Sequence, residues 1–127
     1  MTLAYWCVLI AAIMPYVFAG ISKVGLSEFD NRKPRDFLDT LDGYRRRAHW
    51  AQLNSHEALP PFVAAVIIAH LAGAVQDTIN LLAGLFILAR VLYGYCYITD
   101  RSTARSMAWL LGLGCVIGLF VAAGLAG

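Results

Sequence analysis

Four long apolar segments divide this chain of 127 residues, and they constrain its fold more than any other feature. A helix needs about 20 apolar residues to cross the hydrocarbon core of a bilayer. Backbone groups in lipid must be hydrogen-bonded internally, and no segment has the alternating pattern of a membrane β-strand. The sequence therefore predicts an all-α, integral membrane four-helix bundle that forms one domain, residues 1–127. The predicted spans are Leu3–Ile21, Leu59–Val75, Ile79–Ile98 and Met107–Leu125.

The composition agrees with a surface that faces lipid. Hydrophobic residues make up 60% of the chain and charged residues only 14%, whereas a soluble domain has about 25% charged residues. The formal charge of +2 gives no reason to expect a nucleic-acid partner. The first apolar segment has no charged residues before it and no cleavage site followed by a soluble domain, so we expect a retained span rather than a signal peptide.

Basic residues are concentrated in two of the three connections. The connection between spans two and three has Asp77 but no base, and we expect Asp77 to cap the third helix. The positive-inside rule predicts that both basic connections lie in the cytoplasm and both termini on the other side. A bacterial inner membrane is favoured, with the endoplasmic reticulum as the alternative. The basic residues of the two connections are Lys23, Arg32, Lys33, Arg35, Arg45, Arg46, Arg47, Arg101 and Arg105.

Polar residues form a stripe on each of two predicted helices. The second helix is expected to begin near Tyr44, outside the membrane. At about 100° per residue, each stripe occupies an arc of about 80°. The first stripe consists of Arg47, Trp50, Asn54, Glu57 and Pro61, and the second of Arg90, Tyr93, Tyr97 and Arg101.

Arg90 lies about two turns inside the third span, where a guanidinium costs a few kcal/mol. Glu57, at the entrance of the second span, is the one carboxylate available within the membrane, so we expect Glu57 and Arg90 to approach each other. A pair that only locks two helices is the alternative, but the amide and the tyrosines nearby favour a binding site. Their chemistry suits a small zwitterionic peptide such as glutathione, beside a lipophilic partner. Pro60 and Pro61 are expected to kink the helix just beyond the carboxylate.

Two motifs resemble those of the MAPEG family, the membrane-associated proteins in eicosanoid and glutathione metabolism. "RRAHWAQLNSHEALPPF" resembles its R-x-x-x-A-x-x-N-x-x-E-x-x-P-x-F signature, and "ARVLYGYCYITD" followed by "ARSMAWLLG" resembles its R-x-x-Y-x-x-x-Y and R-S segments. The resemblance implies a homotrimer that binds glutathione as cosubstrate, without a metal, and acts as a transferase or peroxidase on lipophilic electrophiles. It assigns the glutathione site to Arg47, Asn54, Glu57, Arg90, Tyr93 and Tyr97, and thiolate stabilisation to Arg105.

Some positions depart from the family pattern or leave a role open. Trp50 lies at a position where many members of the family have arginine. Ala58 lies at a position where the best-known eicosanoid enzymes of the family have tyrosine. Because the family includes a lipid-binding member without catalysis, a non-catalytic trimer that binds lipid or glutathione is the alternative. A structural membrane subunit is a third possibility. Arg101 competes with Arg105 for the thiolate role, and His70 is expected to be a hydrogen-bonded packing residue. In span four we expect four glycines to allow close helix approach: Gly112, Gly114, Gly118 and Gly124.

Overall fold

Four α-helices account for most of the chain in a computed structural model, which describes residues 1–24, 32 and 41–127. Helix α1 is Leu3–Lys23, α2 is Gly43–Leu71, α3 is Gln76–Ile98 and α4 is Ser102–Ala126. No strand occurs within these described ranges. The predicted all-α bundle and the start of the second helix near Tyr44 are therefore confirmed. Lys33 and Arg35, which entered the charge argument, lie outside the described residues.

Three helices, α1, α3 and α4, are long and apolar enough to cross a membrane by length and composition. Helix α2 is the longest, but it begins with a charged segment and has Glu57 further along. Its predicted end at Val75 is wrong: the helix stops at Leu71, and Gly73 adopts a left-handed φ of 80° in the turn that follows. Helix α2 is continuous through Pro60 and Pro61.

The centre of the bundle is packed with small and aromatic side chains. Phe62 of α2 and Phe86 of α3 stack with ring centroids 3.9 Å apart and planes at 6°. Gly118 of α4 allows the close approach predicted for it, since an added Cβ would lie 3.3 Å from Leu82. Gly114 and Gly124, which were also expected to allow close approach, face open space. The three cysteines are free and buried, as free thiols usually are.

Short turns join the later helices. Val75 occupies the N-cap position of α3 and Asp77 lies within its first turn. The prediction that Asp77 caps α3 is therefore wrong, although its carboxylate still lies at the positive end of the helix. Between α3 and α4, Asp100 adopts a left-handed φ of 61°. Asp and Asn tolerate this conformation better than most residues other than glycine, so a tight turn is possible here.

His70 belongs to a hydrogen-bonded network at the end of the bundle where α1 begins. Its Nδ1 lies 2.7 Å from the carbonyl of Val66, which can only accept, so Nδ1 carries the proton. Nε2 is then an acceptor for the hydroxyl of Thr2, at 3.0 Å. The imidazole also stacks on Tyr5, with centroids 4.0 Å apart. The prediction of a hydrogen-bonded packing residue is confirmed.

Candidate functional site

The interior of the site contains a guanidinium held by an amide. Arg90 of α3 is only 4% exposed, and its Nη2 donates to Oδ1 of Asn54 on α2 at 2.7 Å. The guanidinium carbon lies 4.2 Å from the ring centroid of Tyr93, within the range of a cation–π interaction. Because Arg90 occupies the oxygen of the Asn54 amide, the Nδ2 donors of that amide remain for another partner.

Glu57 and Arg90 approach each other as expected, but they do not form a direct pair. Among the described residues no ion pair joins them, although Glu57 interacts electrostatically with Arg90 and lines the same cavity. Asn54 lies one helical turn before Glu57 and is the residue that meets Arg90 where α2 and α3 cross. A neutral acceptor therefore satisfies the buried cation, and the Glu57 carboxylate stays exposed at the cavity.

Aromatic rings connect this interior to a second arginine. Tyr93 and Tyr97 lie edge to face, with centroids 5.6 Å apart and planes at 85°. The Arg105 guanidinium carbon is 4.5 Å from the Tyr97 centroid, and Trp50 is 6.2 Å from the same ring. Tyr97 thus lies between a residue of α2 and a cation of α4.

Three adjoining cavities open along these residues, and Asn54 lines all of them. One of about 270 Å³ extends from Asn54, Glu57 and Arg90 to an apolar floor that includes Phe86 and Val116. Another of about 400 Å³ is lined by Tyr93, Tyr97, Arg105, Ser106, Trp109 and Leu110. The third, of about 350 Å³, lies between Trp50, Glu57, Tyr93 and Tyr97. Polar groups thus adjoin an apolar compartment.

The structure brings five of the predicted glutathione residues and the predicted thiolate residue to these cavities. Arg47 does not line any of the three, and its Nε instead donates to the carbonyl of Ile98 at 3.0 Å. Arg101 is exposed at the N-cap position of α4 and likewise lines none of them. Arg105 is half-buried and lines the cavity of about 400 Å³. The lining residues from the prediction are Asn54, Glu57, Arg90, Tyr93, Tyr97 and Arg105.

Helix α4 contributes two further lining residues: Trp109, which sequence reasoning did not single out, and Gly112, which it singled out only for close helix approach. Trp109 borders two of the cavities, and Gly112 lies where an added Cβ would be 3.7 Å from Cδ of Arg90. Both residues lie in an uninterrupted apolar run, so their polarity gives no signal. The spacing does: Trp109 follows Arg105 by four residues and therefore shares its face of the helix. Gly112 follows on the same face and leaves room above Arg90.

The chemistry of the site is that of a receptor for a charged, hydrogen-bonding molecule. It offers the Arg105 cation, the free donors of the Asn54 amide, and the exposed Glu57 carboxylate. Within the part of the chain that the structure describes, no three His, Cys, Asp or Glu side chains converge as metal ligands would. The adjoining apolar floor can accept a hydrocarbon portion of a ligand.

The geometry can be set beside known proteins. No curated protein matches this chain at the level of significance required. The family model for MAPEG matches residues 3–125, which is nearly the whole sequence, and includes both motifs that line the cavities. The chain is therefore a member of the MAPEG family, whose fold is a membrane four-helix bundle.

Proposed function

We propose that this protein is a membrane-bound, glutathione-dependent transferase or peroxidase that acts on lipophilic electrophiles. The observation that carries the proposal is the position of Arg105. Its half-buried guanidinium lies over Tyr97, in a cavity that also contains Asn54 and adjoins Glu57 and an apolar floor. A cation placed there can stabilise a thiolate beside a compartment for a hydrophobic second substrate.

Glutathione fits the donor set of the site. Its ammonium group requires an anion, which the Glu57 carboxylate supplies, and its peptide carbonyls can accept from the Nδ2 donors of Asn54. A free thiol has a pKa of about 8.5, and a nearby cation lowers it because it favours the charged form. Arg105 would therefore raise the thiolate fraction of bound glutathione at neutral pH, and the thiolate is the nucleophile.

The proposed reactions balance without a further cofactor. In the transferase reaction the thiolate forms a carbon–sulfur bond with the electrophile, and the leaving group departs with the bonding electron pair. The thiol proton passes to solvent. In the peroxidase reaction two glutathione molecules are oxidised to the disulfide, and one lipid hydroperoxide is reduced to the alcohol with release of water. In both reactions Arg105 acts by charge and transfers no proton.

The test compares Arg105→Gln with Arg101→Gln in the purified, reconstituted protein. We expect thiolate absorbance when glutathione is added to wild type, its loss in Arg105→Gln, and its retention in Arg101→Gln. Conjugation of a generic aromatic electrophile should follow the same order. Loss of the thiolate absorbance in Arg101→Gln alone would show that Arg101, and not Arg105, stabilises the thiolate. An absence of both thiolate and turnover in wild type would refute the enzymatic proposal.

A non-catalytic trimer that binds lipid or glutathione is a second candidate, because of two cavity residues. Trp50 lines the cavity of about 350 Å³, at a position where the family pattern often has arginine. Ala58 lines the cavity of about 270 Å³, at a position where the best-known eicosanoid enzymes of the family have tyrosine. Such a protein would be stabilised thermally by glutathione but would turn over no electrophile. Stabilisation without turnover would therefore favour this candidate over the enzyme.

We further propose that the active form is a homotrimer in a bacterial inner membrane, with both termini on the non-cytoplasmic side. Family membership supports a trimer in a membrane, and the distribution of basic residues supports the orientation of the termini. Native mass spectrometry of the detergent-solubilised protein should give a mass of three chains. Single-cysteine labelling of each connection in intact cells should find the α2–α3 turn accessible from outside and the α3–α4 turn protected.

A further inference from the structure

Three consecutive arginines open α2, at the end where a helix normally favours acidic residues. Arg45, Arg46 and Arg47 follow Gly43 and Tyr44, and the first turn has no acid. The N-terminus of a helix is the positive end of its dipole, so cations there are unfavourable within α2 itself. The contacts of these side chains with the other helices explain their placement.

Arg45 and Arg47 reach the C-terminal ends of two different helices. Nη1 of Arg45 lies 3.3 Å from the carbonyl of Ser22 and 2.6 Å from that of Val24, at the end of α1. Nε of Arg47 lies 3.0 Å from the carbonyl of Ile98, the last residue of α3. Residues two apart on a helix are separated by about 200°, so the two side chains leave α2 on opposite sides. Each cation meets the negative end of a helix dipole.

The contact to Ile98 completes the hydrogen bonding at the end of α3. The carbonyls of Tyr95, Cys96 and Tyr97 accept from the amides of the α3–α4 turn, Thr99, Arg101 and Asp100 respectively. The carbonyl of Ile98 accepts from Arg47. Carbonyls at a helix end have no partner within the helix, and here each of the last four has one. Arg47 thus holds the turn from which α4 departs.

That turn is adjacent to the reactive end of the site. Tyr97 immediately precedes Ile98, and Arg105 lies at the start of α4 with its amide bonded to the carbonyl of Arg101. The Arg105 guanidinium packs on the Tyr97 ring. A displacement of the turn would therefore change the position of both residues, although Arg47 itself lines none of the three cavities.

We propose that the arginine triplet is a clasp that joins the ends of α1 and α3 to α2, and that Arg47 is a positioning residue for Arg105 rather than a glutathione ligand. This inference rests on the proposed function for the role of Arg105. Arg45 and Arg47 hold different helix ends, so the loss of each should affect a different part of the bundle. Arg45 holds the end of α1, and no described residue of α1 lines the cavity of Arg105, whereas Arg47 holds the turn next to that cavity. Arg46 pairs with the exposed carboxylate of Asp42 at 3.9 Å, and its guanidinium carbon lies 5.3 Å from the centroid of the Trp50 ring.

The experiment compares Arg47→Gln with Arg45→Gln, and uses Arg46→Gln as a control for the loss of charge. The first readout is amide hydrogen exchange at residues 99–101, which needs no glutathione. We expect exchange about tenfold faster in Arg47→Gln and unchanged in the other two variants, because Arg47 bonds the carbonyl from which this turn begins. Arg47→Lys keeps the charge and provides a second variant if Arg47→Gln does not fold.

The second readout is the pH titration of the thiolate of bound glutathione. In Arg47→Gln we expect the midpoint to rise by about 0.5 pH unit, since a displaced cation stabilises the thiolate less. Glutathione affinity should change less than twofold, and Arg45→Gln should leave the midpoint unchanged. Affinity at least tenfold weaker with an unchanged midpoint would make Arg47 a ligand and overturn the proposal. Unchanged hydrogen exchange would overturn the clasp itself, whereas a wild type without thiolate would overturn only the proposed function.

Discussion

The Asn54–Arg90 hydrogen bond predicts an asymmetry between two substitutions at the same contact. In Asn54→Leu the side chain keeps its approximate shape but loses the acceptor, so a guanidinium that is 4% exposed has no hydrogen-bond partner. Removal of one partner from a buried charged contact costs about 3–5 kcal/mol. In Arg90→Met both the cation and its need for a partner disappear together.

The change in the free energy of unfolding expected for Arg90→Met can be worked out from the contacts of Arg90. The charged hydrogen bond contributes about 1.5–3 kcal/mol and the desolvated cation–π contact about 2 kcal/mol. Against these, an arginine within the bilayer costs about 2.5–3.5 kcal/mol. The favourable terms exceed the cost by about 0–2.5 kcal/mol. We therefore expect Arg90→Met to lower the free energy of unfolding by that amount, less than Asn54→Leu does.

The measurement is equilibrium unfolding by steric trapping in bicelles, at one protein concentration because an oligomer gains apparent stability with concentration. Glu57→Gln is the matched control, since it removes the carboxylate that was expected to pair with Arg90. It should change the free energy of unfolding by less than about 1 kcal/mol, as an exposed charge usually does. The reasoning is refuted if Arg90→Met is more destabilising than Asn54→Leu, or if Glu57→Gln is the most destabilising of the three.

Three further predictions follow from other contacts. Gly94→Ala should destabilise the fold by about 1–3 kcal/mol, because its Cβ would overlap the Phe18 ring; thermal unfolding should show partial rescue by Phe18→Leu, and no rescue would contradict the steric explanation. His70→Phe should keep the aromatic stack but lose the hydrogen bonds of the imidazole to Thr2, Val66 and Gln76, for about 1–3 kcal/mol in unfolding free energy; an equal stability to wild type would mean that the network contributes nothing. Trp50→Arg adds a guanidinium beside the cavity of about 350 Å³ and should tighten glutathione binding in calorimetry by about tenfold, or about 1.4 kcal/mol; weaker binding would show that Trp50 itself contacts the ligand.

The architecture could be predicted from the sequence because hydropathy and charge report directly on lipid and water. The end of α2 could not, since Ala72–Val75 is as apolar as the helix before it and only the left-handed Gly73 marks the turn. Rotation at about 100° per residue correctly placed Asn54 and Arg90 on facing stripes. It does not give the height at which two helices cross, and that height decided between Asn54 and Glu57 as the partner of Arg90.

The hydrogen-bond partner of a side chain was less predictable than the helix face on which that side chain lies. Arg47 lies on the polar stripe of α2, yet the atom that it bonds belongs to the backbone of another helix, and a backbone carbonyl has no signature in the sequence. Trp109 was missed because tryptophan is ordinary in a membrane span, and Gly112 was predicted only to allow close helix approach. Only the assembled bundle makes them part of a cavity wall.

The neutral partner of Arg90 also determines how salt should affect the capture of an anionic reactant. A carboxylate in direct contact would have cancelled most of the guanidinium field, whereas the Asn54 amide leaves the unit charge in place. Mobile ions screen exposed charges beyond about 8 Å at physiological ionic strength, but they screen a buried charge much less. The half-buried Arg105 should therefore provide an attraction that fades as salt is added. Arg90 should provide an attraction that persists at high salt. The association rate of an anionic reactant should therefore level off at high ionic strength, above the rate for an Arg90→Met protein.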